Sequence, residues 1–148
     1  MKVLIQRVVE AQVAVDRTVV ARIGRGVVAL LGVAKGDTIE NIHGLADRIL
    51  TFRIFDDEAG RMNRSIQEIG GQILVVSQFT LVADTAKGKR PSFEPAADYE
   101  LAEGLYQIFV SRLAASGLTV ETGRFGVRMV VSIHNDGPVT FLLESRSS

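Results

Sequence analysis

Apolar residues crowd the first third of the chain in β-branched runs with polar residues interleaved. Val3 to Val15 is one such run, Asp16-Arg17 offers a turn, and Thr18 to Ile23 returns. Gly24-Arg25-Gly26 then separates it from a more continuous run, Val27 to Val33. Alternation broken by turn residues predicts strands, with Gly24 and Gly26 forming a hairpin turn. The pattern then changes period. Ile39, Ile42, Leu45, Ala46, Ile49 and Leu50 fall on one helical face, and Asp37 followed by Glu40 predicts a capping box at its start.

Beyond this helix the pattern predicts a short strand at Arg53 to Phe55, a turn at Asp56 to Gly60 and another at Gly70-Gly71. Gln72 to Thr80 reads as a buried strand, and Asp84 to Glu94 as a polar loop. Pro95 suits the first turn of a second helix with a stripe of Leu101, Leu105, Ile108, Phe109 and Leu113, stopped by Gly117. Strands at Leu118 to Glu121, Val127 to His134 and Val139 to Leu143 complete the chain. Strands outnumber helices and several connections are too short for crossovers, so the expected fold is α+β with antiparallel or mixed sheets and two main helices.

Length and composition narrow the picture. The 148 residues read as a single domain, 1–148, and 47% hydrophobic with 23% charged residues is ordinary for a globular protein. No apolar stretch approaches the ~20 residues of a membrane helix, and no secretory leader pattern opens the chain, so the expected compartment is cytoplasmic. The absence of cysteine excludes a disulfide framework, a zinc-thiolate site and a thiol nucleophile. With 17 basic and 17 acidic residues the net charge is zero, which argues against a broad phosphate-tracking surface but allows RNA contact at one end.

Few residues carry obvious chemistry. Gly24-Arg25-Gly26-Val27-Val28-Ala29 matches a loose dinucleotide-binding pattern, but a strand follows where that motif needs a helix. His43 falls on the polar face of the first helix; His134, at a strand end, is a general base or, more simply, a solvated residue without an orienting partner. Two separate histidines without clustered acids predict neither metal nor cofactor. Lys87, Lys89 and Arg90, followed by Pro91-Ser92-Phe93, read as a solvated loop with Phe93 tucked under the next helix. The alternative is a phosphate contact beside a stacking aromatic ring.

Two segments close strongly apolar runs, where backbone and side chains leave the core: Ser77-Gln78-Phe79-Thr80 and Asn135-Asp136-Gly137-Pro138-Val139-Thr140. By themselves they read as a strand exit and a turn. With Lys87-Gly88-Lys89-Arg90-Pro91-Ser92-Phe93 and the opening Met1-Lys2-Val3-Leu4-Ile5-Gln6-Arg7-Val8, however, the chain resembles the D-aminoacyl-tRNA deacylases, the D-Tyr-tRNA deacylase family, over its full length.

That resemblance implies a homodimer with a barrel-like β core that cleaves the ester between a D-amino acid and the terminal adenosine of tRNA. Mischarged glycyl-tRNA would be a further substrate. It also implies that Gly137-Pro138 is a cis dipeptide inserted from one subunit into the site of the other, where it screens chirality. Ser77, Gln78, Phe79 and Thr80 would form the catalytic side. An aminoacyl ester is already activated, so backbone N–H groups around Ser77 to Phe79 could stabilise the oxyanion, each worth ~3–4 kcal/mol. The 2′-OH of the terminal ribose could help activate water. Thr80 is expected to position groups rather than act as nucleophile, since no adjacent base is evident. Arg7, a charge on a core-like strand, is the expected support for the Gly-Pro segment. Two other function classes stay open, a small-molecule D-amino acid esterase or amidase and a non-catalytic RNA-binding module.

Overall fold

The computed structural model describes residues 1–145; the last three positions of the expected 1–148 domain lie outside the described residues. Strand β1 (Lys2–Val15) is the spine, and alternation places Val3 and Ile5 on one face. Its register against the last strand, β8 (Val130–Glu144), shifts on either side of Val8. Across this bulge the odd-numbered residues change face: Val3 and Ile5 pack beneath the helices, whereas Ala11 and Val13 turn into the barrel.

Both β2 (Thr18–Ile23) and β3 (Gly26–Gly32) pair antiparallel with β1, Ile23 opposite Ala11 and Gly26 opposite Val8. Gly24-Arg25 is therefore a break between two successive partners along one side of β1, and the expected hairpin turn there is corrected. The need for glycine at position 26 is steric: a Cβ would sit 1.8 Å from the Gln72 carbonyl oxygen of the neighbouring strand. β3 runs parallel to β6 (Gln72–Ser77), which runs parallel to β7 (Val120–Thr122). The sheet is mixed, and β2 curls back toward β6 and β7 to give a nearly closed barrel.

Its interior holds Val8, Ala11, Val13, Ala21, Ile23, Val28, Leu74 and Val76. The outer face holds Val3, Ile5, Val27, Ala29, Leu31, Ile73 and Val75 beneath helices α1 (Ile39–Thr51) and α3 (Tyr99–Ala114). Burial on both faces explains why β3 and β6 are continuously apolar rather than alternating.

Several boundaries differ from expectation. α1 is capped by Thr38, whose hydroxyl accepts from the Asn41 amide while Asn41 accepts from Thr38 N–H. Asp37, one residue too early to cap, accepts instead from the Met1 ammonium at 2.9 Å and from Ala34 N–H at 2.6 Å. α3 begins after Asp98, whose carboxylate accepts from Leu101 N–H at 2.8 Å; Pro95 lies in the preceding turn. A one-turn helix, α2 (Ile66–Ile69), carries a Ser65/Glu68 capping box that the apolar pattern does not reveal. The expected short strand is displaced to β4 (Phe55–Asp56), paired with β5 (Met62–Arg64). Finally, the two expected last strands are one, with Asn135 to Pro138 bulging inside β8.

Candidate active site

The ladder of β6 stops at Ser77. Gln78 N–H makes a last bond to the Leu31 carbonyl at 2.7 Å, and Phe79–Val82 then winds into a 3₁₀ turn, so the expected strand through Thr80 ends three residues early. Gly32 permits this exit, because a Cβ there would lie 3.0 Å from the Gln78 carbonyl oxygen. The first bond inside the turn is Leu81 N–H to Gln78 O at 3.1 Å. Phe79 and Thr80 therefore present their amides at the open end of the turn, with no acceptor within it. Of the backbone donors expected around Ser77 to Phe79, the sheet consumes that of Gln78. The Gln78 side chain bends back to donate to the Thr80 hydroxyl at 2.5 Å. Among the described residues no titratable side chain is hydrogen-bonded to Ser77 or Thr80.

Ser77 and Phe79 border a cleft of about 480 Å³ whose other walls include Tyr99, Phe125, Gly126 and Met129. The rings of Tyr99 and Tyr106 both pack on Phe125, with centroids 5.1 and 5.3 Å away. Burial pushes the Tyr106 hydroxyl up to about 12, so it stays protonated and donates to the Val75 carbonyl at 3.3 Å. Gly126, at φ +74°, leaves no room for a Cβ, which would fall 2.8 Å from the Tyr99 hydroxyl. Sequence reading missed this wall. Phe125 and Gly126 sit in an unremarkable loop, and only the fold brings them to the end of β6. Phe93 does not tuck under the helix as expected. It is 43% exposed and stacks edge-on against Phe79, with centroids 5.0 Å apart.

The second segment lies elsewhere. The Gly137-Pro138 peptide bond is cis, and both residues are exposed on the bulge of β8. Their backbone is braced from beneath. Asn135 Nδ2 donates both to the Arg7 carbonyl at 2.8 Å and to the Val139 carbonyl at 3.1 Å, spanning the bulge. Gln6 donates to the Thr140 hydroxyl at 3.2 Å on the same side. Arg7 is buried, shares the face of Val3 and Ile5, and donates from Nη1 to the Ile54 carbonyl at 2.8 Å. Asp56 at 3.4 Å and Asp136 at 3.2 Å neutralise it, although Nε is not aligned for a hydrogen bond to Asp136. Arg7 also closes the space beside Gly137. At φ +124°, a Cβ on Gly137 would meet Arg7 Nη2 at 3.2 Å and Val139 Cγ2 at 2.7 Å.

Within one chain these segments do not form one pocket: neither Gly137 nor Pro138 lines the cleft of Ser77 and Phe79. His134 lies inside β8 rather than at a strand end and faces Glu10 across the ladder at 3.5 Å, with both side chains more than half exposed. Among the described residues no group of three His, Cys, Asp or Glu side chains could hold a metal ion. No helix among them is long and apolar enough to cross a membrane.

The fold and site together define a mixed α+β barrel with Ser77 and Phe79 on the border of a largely apolar cleft. The chain belongs to the D-Tyr-tRNA(Tyr) deacylase family, whose pattern matches residues 4–144. It is 52% identical over 147 residues to a D-aminoacyl-tRNA deacylase of Exiguobacterium sp., covering 99% of this chain and 100% of that one. It is 55% identical over 141 residues to a D-aminoacyl-tRNA deacylase of Cronobacter sakazakii, covering 95% and 97%. Among solved structures, a c-Myc DNA unwinding element binding protein superposes with a TM-score of 0.94 at 40% identity, covering 99% of this chain and 100% of that one. A probable eukaryotic D-amino acid tRNA deacylase shares the fold, with a TM-score of 0.83 at 19% identity over 97% and 98% of the two chains.

Proposed function

We propose that this protein hydrolyses the ester of D-aminoacyl-tRNA, releasing the free D-amino acid and tRNA, and that its working form is a homodimer. The observation that carries this reading is family membership joined to a cleft whose polar mouth consists of amides and hydroxyls. In the proposed reaction the ester carbonyl lies against the Phe79 and Thr80 amides, which stabilise the oxyanion as water adds. Gln78 fixes Thr80, leaving its hydroxyl proton free to orient the water or the 2′-OH of the terminal ribose. A Thr80 nucleophile is disfavoured because nothing bonded to its oxygen can take the proton. Glycyl-tRNA, without a side chain, would also be cleaved. A tRNA substrate places this work in the cytoplasm.

The exposed Gly137-Pro138 segment serves, in this proposal, the cleft of the second subunit. Its bracing by Asn135 and Arg7 supports a rigid main-chain wall. Such a wall would fill the space any L side chain needs while a D side chain points away, which accounts for selection by handedness and not by side-chain identity.

The experiment compares D-aminoacyl-tRNA with the methyl ester of the same D-amino acid. The proposal expects rapid deacylation of the first and little of the second, which lacks the ribose 2′-OH and the acceptor end. Equal turnover would make the protein a small-molecule esterase. A second reading, a nucleic-acid-binding module, is favoured by the likeness to the c-Myc DNA unwinding element binding protein. RNA binding without deacylation would support it.

A further inference from the structure

Five residues beyond the cleft's Phe79 wall, the chain makes a short excursion that the proposed chemistry does not use. Asp84 and Ser92 exchange backbone hydrogen bonds in both directions, at 2.8 and 2.9 Å, and close the segment between them into a loop. The Asp84 carboxylate accepts from Ala86 N–H at 2.9 Å, and Gly88 takes a left-handed φ of +72° at the tip. Phe93, directly after the closing bridge, packs on Phe79 and ties the loop's base to the rim of the cleft. The loop is thus shaped and anchored beside the proposed reaction centre.

Its tip carries Lys87, Lys89 and Arg90, all exposed, and none has an ion-pair or hydrogen-bond partner among the described residues. Elsewhere four described cations are held in ion pairs, Arg7 by Asp56 and Asp136, Lys35 by Glu94, Arg64 by Glu58 and Arg112 by Asp47. Arg128, on the cleft's opposite border, is likewise without an ion-pair partner among the described residues. In a chain of zero net charge, three cations without partners thus stand together on one loop beside the cleft, with Arg128 on the cleft's lining. Three cations within four residues can make several simultaneous contacts to a polyanion such as single-stranded RNA.

We infer that the Lys87–Arg90 loop holds the phosphates of the single-stranded RNA end whose terminal ester enters the cleft. This rests on the proposed deacylase reaction and supplies what the apolar cleft lacks, a grip on the polyanion that does not touch the amino acid. Handedness would be read in the cleft and RNA at its rim, so the two can be separated by mutation.

The test is a triple variant, K87A/K89A/R90A, assayed on D-aminoacyl-tRNA and on the 3′-D-aminoacyl ester of adenosine, which has no phosphodiester. On tRNA the expected result is a KM raised at least about tenfold with kcat retained. The salt dependence of log kcat/KM should flatten by about two, at roughly 0.7 per single-strand phosphate contact. On the adenosine ester the variant should match the parent. The charge-retaining K87R/K89R/R90K variant should restore the KM on tRNA. An unchanged KM and salt slope on tRNA overturns the inference, as does an equal loss on both substrates, which would mean that the loop merely supports the site. If the parent protein fails to deacylate D-aminoacyl-tRNA, the deacylase reading falls, an outcome separate from those two.

Discussion

Gly137→Ala is the perturbation that most sharply probes the main-chain wall. The added Cβ would meet Val139 Cγ2 at 2.7 Å, Val139 N at 3.0 Å and Arg7 Nη2 at 3.2 Å, and φ at this position is +124°. A non-glycine residue in such a region costs about 1–3 kcal/mol. The contacts add roughly 1–3 kcal/mol if nothing moves. Because Gly137 and Pro138 are exposed and sit on a bulge, the segment can relieve most of this by shifting, while the core beneath keeps its packing. The expected result is a melting temperature within a few degrees of the parent, together with a displaced wall. A displacement that gives up 1.4–2.8 kcal/mol of discrimination lowers the D-over-L ratio of kcat/KM about 10- to 100-fold. Initial rates on matched D- and L-aminoacyl-tRNA read this ratio directly, with circular dichroism confirming the fold. A folded Gly137→Ala protein with the parental ratio and parental D activity would refute the assignment of this segment to chiral selection.

Other outcomes follow from the same geometry. Arg7→Ala removes a charge-assisted bond to the Ile54 carbonyl and the brace beside Gly137, so it should cost about 2–3 kcal/mol in urea unfolding and lower activity in the protein that remains folded. Thr80→Ala should reduce turnover without abolishing it, and no acyl-enzyme should be trapped on rapid quenching; complete loss with a trapped adduct on the parent Thr80 would reinstate the nucleophile. Tyr106 has a raised folded value, so its stability contribution is full below the unfolded value near 10 and declines as pH rises toward about 12. Thermal melts across that range should show the slope in the parent and lose it in Tyr106→Phe. Arg112, with its side-on hydrogen bonds, holds the Asp47 carboxyl below its ordinary range. The small stability that this half-exposed pair contributes should be present above the unfolded carboxylate value and be lost as pH falls through the folded one, with Asp47→Asn and added salt both flattening the effect.

Local signals were legible where the chain interacts with itself nearby. The alternation of β1, the apolar face of α1 and the continuous runs of β3 and β6 identify the core, because burial imposes those periods directly. The two candidate segments were also visible as polar groups ending apolar runs. What stayed hidden depends on distant partners. That Gly24-Arg25 links two successive partners of β1, and does not turn a hairpin, follows only from the pairing of β2 and β3 with β1. The single long β8 requires β1 as a template on the far side of a bulge. Thr38 displaces Asp37 as the cap because Asp37 is held by Met1, a residue 36 positions away. Phe125 and Gly126 reach the cleft solely through the β7–β8 connection, and the separation of Ser77–Thr80 from Gly137-Pro138 has no local signature at all. Family resemblance joins those two segments into one site, whereas within one chain they stand apart.

Deacylation of matched D- and L-aminoacyl-tRNAs, carrying the same amino acid on the same tRNA, tests the central claim most directly. The account predicts that the purified protein strips the D-aminoacyl-tRNA and leaves the L-aminoacyl-tRNA intact beyond its spontaneous hydrolysis. Equal rates on both, or none on the D form, would contradict it.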